Sequence, residues 1–287
     1  MAFYGSGVTP AHLPQPFPPS MGHSFEIHER AGFRYVDEGP TSDVPPVVLL
    51  HGMLGDHSNW AETIKFLSEK QYRVIVPLIP VYNLPLRESS VSGLAGYVHR
   101  FVAAIGIRKM VLAGNSLGGH IALLYTIQHP DTVSALVLCG ASGIYEVEMG
   151  TSMLRRKDRD ELRRRAAFTF YDPAHATEAL VDEVYEIVND RNSAVRLIRM
   201  ARAVQAESVA KRLGEIVPPT LLVWGLNDRI TPPDVAEEFN RGIADSRLHF
   251  IDECGHAAML EQPNQFNRHM LDFLHEIVGI PEMSLSG

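Results

Sequence analysis

Cysteine is scarce: the 287-residue chain carries two, Cys139 and Cys254. Two thiols cannot make a disulfide framework, so a buried core must hold the fold; both read as small apolar residues in a reducing compartment. Long apolar runs are missing as well. No stretch approaches the ~18 residues that a bilayer span requires. The opening Met1-Ala2-Phe3-Tyr4-Gly5-Ser6-Gly7-Val8 lacks the basic start and apolar run of a secretory signal, so a cytoplasmic protein is expected. An excess of positive charge is absent too. The chain has 26 Lys and Arg against 34 Asp and Glu, a formal charge of −8. That is a poor balance for neutralising phosphates, and no nucleic-acid partner is expected. Among thirteen histidines there is no His-Glu-x-x-His and no clustered Cys/His set, so neither a metal nor another cofactor is expected. No internal repeat occurs.

What is present is an ordinary globular composition, 45% apolar and 21% charged. The length suits one large domain, or a core with one insertion. Residues 1–22 hold Pro10, Pro14, Pro16, Pro18 and Pro19 and read as an extended arm. Beyond the arm, short apolar runs predict strands at Ser24–His28, Phe33–Asp37, Val47–Leu50, Arg73–Val76, Met110–Ala113, Ala135–Cys139, Thr220–Trp224 and Leu248–Ile251. Helical patterns lie between them, most clearly at Trp60–Glu69, Val91–Ala104, Gly119–Gln128, Pro233–Asn240 and Gln262–Ile277. Such alternation predicts an α/β fold with a mostly parallel sheet covered by helices, the first two strands forming an antiparallel hairpin. Between Gly143 and Val217 the alternation stops, which predicts a helical cap over 143–215 inserted into a core of 23–142 and 216–279, with 280–287 as a tail. The run Leu154–Arg165 carries seven bases and three acids. It reads as a solvated helix face, with attraction of anionic substrates or a membrane surface as the sharper alternative.

The strongest local signal is Ala113-Gly114-Asn115-Ser116-Leu117-Gly118-Gly119. A bare Gly-x-Ser-x-Gly arises by chance in about one chain of this size in ten. Here an apolar strand leads in and an apolar helix leads out. A sharp strand-to-helix turn lifts the Ser116 hydroxyl out of the sheet and sets it at a helix N-terminus. A serine hydroxyl needs a base, and the base needs an orienting acid. His256 follows the last strand in Cys254-Gly255-His256-Ala257, and Asp228 follows the preceding one in Trp224-Gly225-Leu226-Asn227-Asp228. Asp234, Asp252 and Glu146 are rivals for the acid. The chain order Ser116, Asp228, His256 is that of nucleophile-elbow hydrolases.

With Leu49-Leu50-His51-Gly52-Met53 added, these motifs resemble the α/β-hydrolase family from about Ser24 to Ile277. The resemblance implies an eight-stranded sheet and an oxyanion hole made by the backbone N–H groups of Met53 and Leu117. Within the family the chain looks similar to the capped branch that holds small carboxylesterases and meta-cleavage-product hydrolases, the latter cutting a carbon–carbon bond. Asn115 before the serine fits that branch, as do Ala179–Glu183 in the cap. Three departures weaken the carbon–carbon reading. Met53-Leu54-Gly55-Asp56 replaces a Gly-Pro-Gly-rich stretch, Ala257 replaces a tryptophan, and Val184 stands where those enzymes carry a carboxylate-holding arginine. Arg191, Arg196 or Arg199 could compensate. The loop Val76–Leu86 is apolar and proline-rich, either a stiff packed loop or a wall of the acyl or alcohol pocket.

The expectation is therefore a serine hydrolase of small to medium carboxylic esters acting through an acyl-enzyme, with Asn115, Tyr82 and Ala257 at the substrate. Carbon–carbon hydrolysis, alone or beside esterase activity, is the alternative. A hydrolase-fold receptor for a small ligand is the more distant one. Oligomeric state is left open.

Overall fold

Four-residue runs such as Val47–Leu50 have no polar face to offer solvent, so they form strands covered on both sides. The computed structural model describes residues 25–147 and 156–281. Eight strands, β1 (His28–Arg30), β2 (Phe33–Glu38), β3 (Val47–Leu50), β4 (Val74–Pro77), β5 (Met110–Asn115), β6 (Val133–Cys139), β7 (Thr220–Gly225) and β8 (Ser246–Ile251), make one sheet in the order β1-β2-β4-β3-β5-β6-β7-β8. β2 is antiparallel to both β1 and β4, and all other pairs are parallel.

The first strand differs from the expectation of Ser24–His28. Ala31 (φ 51°) and Gly32 (φ 80°) form a two-residue turn with both residues left-handed, and the register runs back from it as Arg30↔Phe33 and His28↔Tyr35. A turn of this kind matches strand twist and fixes which residues pair. Upstream, Phe25 and Ile27 pack against the core. The arm 1–22 and the tail from 282 lie outside the described residues.

Side chains alternate across the sheet. Val48, Leu50, Leu112, Leu136, Leu138 and Trp224 face one layer, built from α2 (Val91–Ile105), α3 (Leu117–Gln128) and α7 (Pro233–Gly242). Val47, Leu49, Val111, Val137 and Val223 face the other, built from α1 (Ala61–Glu69), the short α8 (Ala258–Glu261) and α9 (Pro263–Ile277). Across that second layer the buried Thr63 hydroxyl donates to Asn267 Oδ1 at 2.8 Å, tying α1 to α9. α2 is bounded at both ends by its own sequence: Ser90 accepts from the Gly93 N–H, and Gly106 (φ 82°) closes the C-terminus.

Between β6 and β7 lie α4 (Arg159–Ala167), α5 (Glu178–Asn189) and α6 (Arg191–Ala206). Leu162 of α4 packs with Val181, Val184 and Val188 of α5 in a small separate core. The described bases of the charged run are largely spoken for. Arg163 pairs with Glu178 and Arg159 with Asp182, while Arg164 and Arg165 both reach Glu161; Leu154 and Arg155 lie outside the described residues. α6 joins the main core through Met200 and Val204. Just beyond it, the Glu207 carboxylate accepts from the N–H groups of Val91 and Ser92, where a helix N-terminus favours negative charge. Among the described residues no helix is long and apolar enough to cross a membrane.

Candidate active site

β5 runs into α3 through Ser116, whose backbone sits at φ 55°, ψ −120°. A non-glycine residue there costs of order 1–3 kcal/mol and persists only where its surroundings impose it. The surroundings are close backbone approaches. A Cβ on Gly114 would lie 2.3 Å from the Gly118 carbonyl carbon, and one on Gly118 would lie 2.1 Å from the Leu50 carbonyl oxygen. The Ser116 N–H donates to Cys139 O at 3.1 Å, and its carbonyl accepts from His120 and Ser142 N–H groups.

The loop after β3 lies directly against this turn: a Cβ on Gly52 would come to 3.3 Å from Ser116 Cβ. Its shape is set by the buried His51 ring. The Ile79 N–H donates to His51 Nε2 at 3.2 Å, so Nδ1 carries the hydrogen and donates to Gly52 O at 2.9 Å. Burial, only partly offset by the Gly52 bond, holds the His51 pKa below its ordinary value and keeps the ring neutral. The Tyr82 hydroxyl donates to Met53 O and so holds the loop that follows β3.

Asp228 and His256 meet at the ends of β7 and β8. His256 Nδ1 lies 2.8 Å from Asp228 Oδ2. The Asp228 carboxylate also accepts from the Ile230 and Thr231 N–H groups and from the Thr231 hydroxyl. Burial pulls the His256 pKa down. The Asp228 charge and hydrogen bond, with Glu146 and Glu261 adding, more than reverse this and hold it above the ordinary value. His256 Nε2 is buried with no hydrogen-bond partner among the described residues. The elbow and the base loop are linked through the Asn115 side chain, whose Nδ2 donates to both Cys139 O and His256 O at 3.0 Å. Ser116 Oγ and His256 Nε2 are therefore neighbours in topology without a bond between them; such bonds commonly tighten only once substrate is bound.

A family model described as the alpha/beta hydrolase family matches residues 47–269. This chain belongs to that family. The hydrolase is 32% identical over 248 residues to a 2-hydroxy-6-oxononadienedioate/2-hydroxy-6-oxononatrienedioate hydrolase of Klebsiella pneumoniae, covering 79% of this chain and 86% of that one. It is 27% identical over 281 residues to monoacylglycerol lipase abhd6-A of Xenopus laevis, covering 88% and 82%. Among solved structures, an alpha/beta hydrolase enzyme from a sediment metagenome of the Mar Chica lagoon aligns with TM-score 0.71 and 37% identity over 88% of this chain and 98% of that one.

Within this hydrolase the rival acids go elsewhere. Asp234 bonds the Tyr145 hydroxyl, Asp252 accepts from the Glu253 N–H, and Glu146 accepts from Ser142 while adding its charge to the field at His256. The three residues expected at substrate have framework contacts. Both donor bonds of Asn115 go to backbone carbonyls, Tyr82 holds Met53, and the buried Ala257 gives its N–H to Glu261. Cys139 and Cys254 are free and buried, and burial pushes the Cys139 thiol up to about 12.

Sequence reading missed three residues. Thr231 follows Asp228 by three, the spacing at which a hydroxyl can return to an acid in a tight turn. Glu261 follows His256 by five and carried no signal, because all its partners are backbone N–H groups. Glu183 of α5 sits next to Val184, where no arginine stands. Burial and the Asp56 charge push its carboxyl up to about 7, and its charge in turn raises Tyr82, so of its electrostatic neighbours Asp56 belongs to the loop that carries Met53 and Tyr82 bonds to that loop.

Proposed function

We propose that the protein is a serine hydrolase of uncharged carboxylic esters, with Ser116 as nucleophile, His256 as base and Asp228 as its orienting acid. The observation that carries this is the His256–Asp228 pair, 2.8 Å apart and buried, with Nε2 left without a partner among the described residues. Asp228 fixes the tautomer with hydrogen on Nδ1, so Nε2 has the free lone pair that can take the Ser116 proton. As Ser116 Oγ attacks the ester carbonyl, negative charge grows on the carbonyl oxygen. The N–H groups of Met53 and Leu117 are the donors for it, and the start of α3 adds a favourable dipole. The imidazolium then protonates the departing alkoxide. Water attacks the acyl-enzyme with the same histidine as base, releasing the acid and restoring Ser116.

The cap supports an uncharged substrate. Arg196 Nε donates to Leu84 O and Arg199 Nε to Ser89 O, so both are tied to backbone carbonyls. Glu183 puts an acid near the Met53 loop, where an anionic substrate would need a base. Hydrolysis of a carbon–carbon bond in a dienoate is the second reading, and the names of relatives such as the Klebsiella pneumoniae enzyme favour it.

The test is a panel of para-nitrophenyl esters of graded acyl length beside 2-hydroxy-6-oxo-6-phenylhexa-2,4-dienoate, with Ser116→Ala as control. Ester turnover should exceed dienoate turnover, and Ser116→Ala should lose about 10⁴-fold or more while staying folded. Preferred turnover of the dienoate would replace the ester reading with the second one. Full activity in Ser116→Ala would remove the serine mechanism from both.

A further inference from the structure

Three peptide N–H groups in a row surround the proposed base, and each is held by the same small cluster. Gly255 N–H donates to Glu261 Oε1 at 3.0 Å, and Ala257 N–H reaches the same oxygen at 3.3 Å. The N–H of His256 itself donates to Thr169 O at 2.9 Å. Glu261 Oε2 then accepts from the Tyr171 N–H at 2.7 Å. Thr169 and Tyr171 belong to the segment that leaves α4, the first described helix of the cap. One carboxylate thus spans two pieces of chain, with one oxygen on the base loop and the other on the cap's return.

The contact between those pieces is backbone on backbone. A Cβ on Gly255 would lie 2.7 Å from Thr169 O and 2.8 Å from Tyr171 N. The segment is held from the acid side as well. Arg229, the neighbour of Asp228, donates to Phe170 O at 2.8 Å and lays its guanidinium over the Phe168 ring at 5.0 Å. The loop carrying His256 is therefore tied to residues 169–171 on one side, as it is tied to the core through Asn115 and Asp228 on the other.

We propose that Glu261 is a positioning residue that locks the base loop to the cap, so that the placement of α4 sets the placement of His256 Nε2 relative to Ser116. The proposal rests on the serine-hydrolase reading. Its chemistry needs a carboxylate. A glutamine offers one acceptor oxygen, and its amide hydrogens would face an N–H donor on one side of the bridge. An aspartate keeps the charge but falls one methylene short. Bonds from N–H to a carboxylate are also stronger than those to a neutral acceptor. The charges acting on His256 are those of Asp228, Glu146 and Glu261, all of which favour its protonated form.

The experiment compares wild type, Glu261→Gln and Glu261→Asp on para-nitrophenyl butyrate from pH 5 to 9. Active sites are titrated with a fluorophosphonate, so that kcat refers to folded, reactive protein. Both variants should lose about ten- to a hundredfold in kcat per titrated site, with KM changed far less, because the base is displaced and the pocket is not. In Glu261→Gln the acid limb should also move to lower pH, since a negative charge near the imidazolium is gone. In Glu261→Asp the limb should stay near wild type. A purely structural role predicts a lower Tm with kcat per site and acid limb unchanged in both, and that result overturns the proposal. Should Glu261→Gln not fold, Glu261→Asp decides alone through its kcat per site. Loss of wild-type ester turnover to a non-serine route, seen as full activity in Ser116→Ala, would strike the underlying reading and not the Glu261 bridge.

Discussion

The Asp228 side chain accepts four hydrogen bonds, from two peptide N–H groups, one hydroxyl and one imidazole. So many donors hold the carboxylate in place beside the ring, and its charge raises His256 against the pull of burial. From the sequence alone the acid limb of a pH–rate profile would sit near the free-histidine value of ~6.5. The structure moves it upward. A base with a raised pKa remains protonated, and idle, to a higher pH, so kcat/KM should fall as pH drops through a value above 6.5. Glu146→Gln removes one of the charges that raise His256 and should move the limb downward. A limb at or below ~6.5 in wild type would contradict this arrangement of charges. That Asp228 and His256 meet was legible because both follow strands, and strand ends are readable as the close of apolar runs. Glu261 and Glu183 were not, because their partners are either backbone or far away in sequence; Thr231, only three residues from Asp228, carried its signal in that spacing alone.

At the scale of elements, the apolar runs located strands and core helices to within a few residues, and the one slip, at β1, was set by the Ala31-Gly32 turn. The helices between β6 and β7 resisted delimitation for a physical reason: α4 is mostly charged and buries only Leu162 and Ala166, so no apolar stripe marks its ends. Two substitutions test how the elements are held. Ser90→Ala removes the oxygen that caps α2 and should cost about 1 kcal/mol in urea unfolding. Gly118→Ala forces a methyl toward Leu50 O, a rigid backbone atom at the end of β3. That change should destabilise by about 1–3 kcal/mol or more and misplace the elbow, so kcat should fall together with the urea midpoint. A Gly118→Ala protein with unchanged kcat would mean that the elbow does not press on β3.

Across the whole molecule, His51, His120 and Glu183 are among the groups that make stability depend on pH, and they act in opposite directions. Burial holds the pKa of His51 and of His120 below the unfolded value of 6.5, so what they contribute is fully present above pH 6.5 and is lost as pH falls below it. Glu183 runs the other way. Its carboxyl rises from 4.5 in the unfolded chain to about 7 in the fold. The protonated form is at no disadvantage below pH 4.5, and stability is lost as pH climbs from there through about 7. A pKa that differs by one between the folded and unfolded chain is worth about 1.4 kcal/mol; with Glu183 half-buried and partly screened by solvent, about 1–2 kcal/mol is expected at pH 8. Glu183→Gln keeps the shape and removes the charge. Its urea unfolding free energy should exceed that of wild type by this amount at pH 8 and match it at pH 4. Because Glu183 lies on α5 beside the loop that carries Met53, the gain would locate the strain at the seam between cap and core. An equal difference at both pH values would mean that the carboxyl is already solvated there, and the charge argument for an uncharged substrate would fall with it.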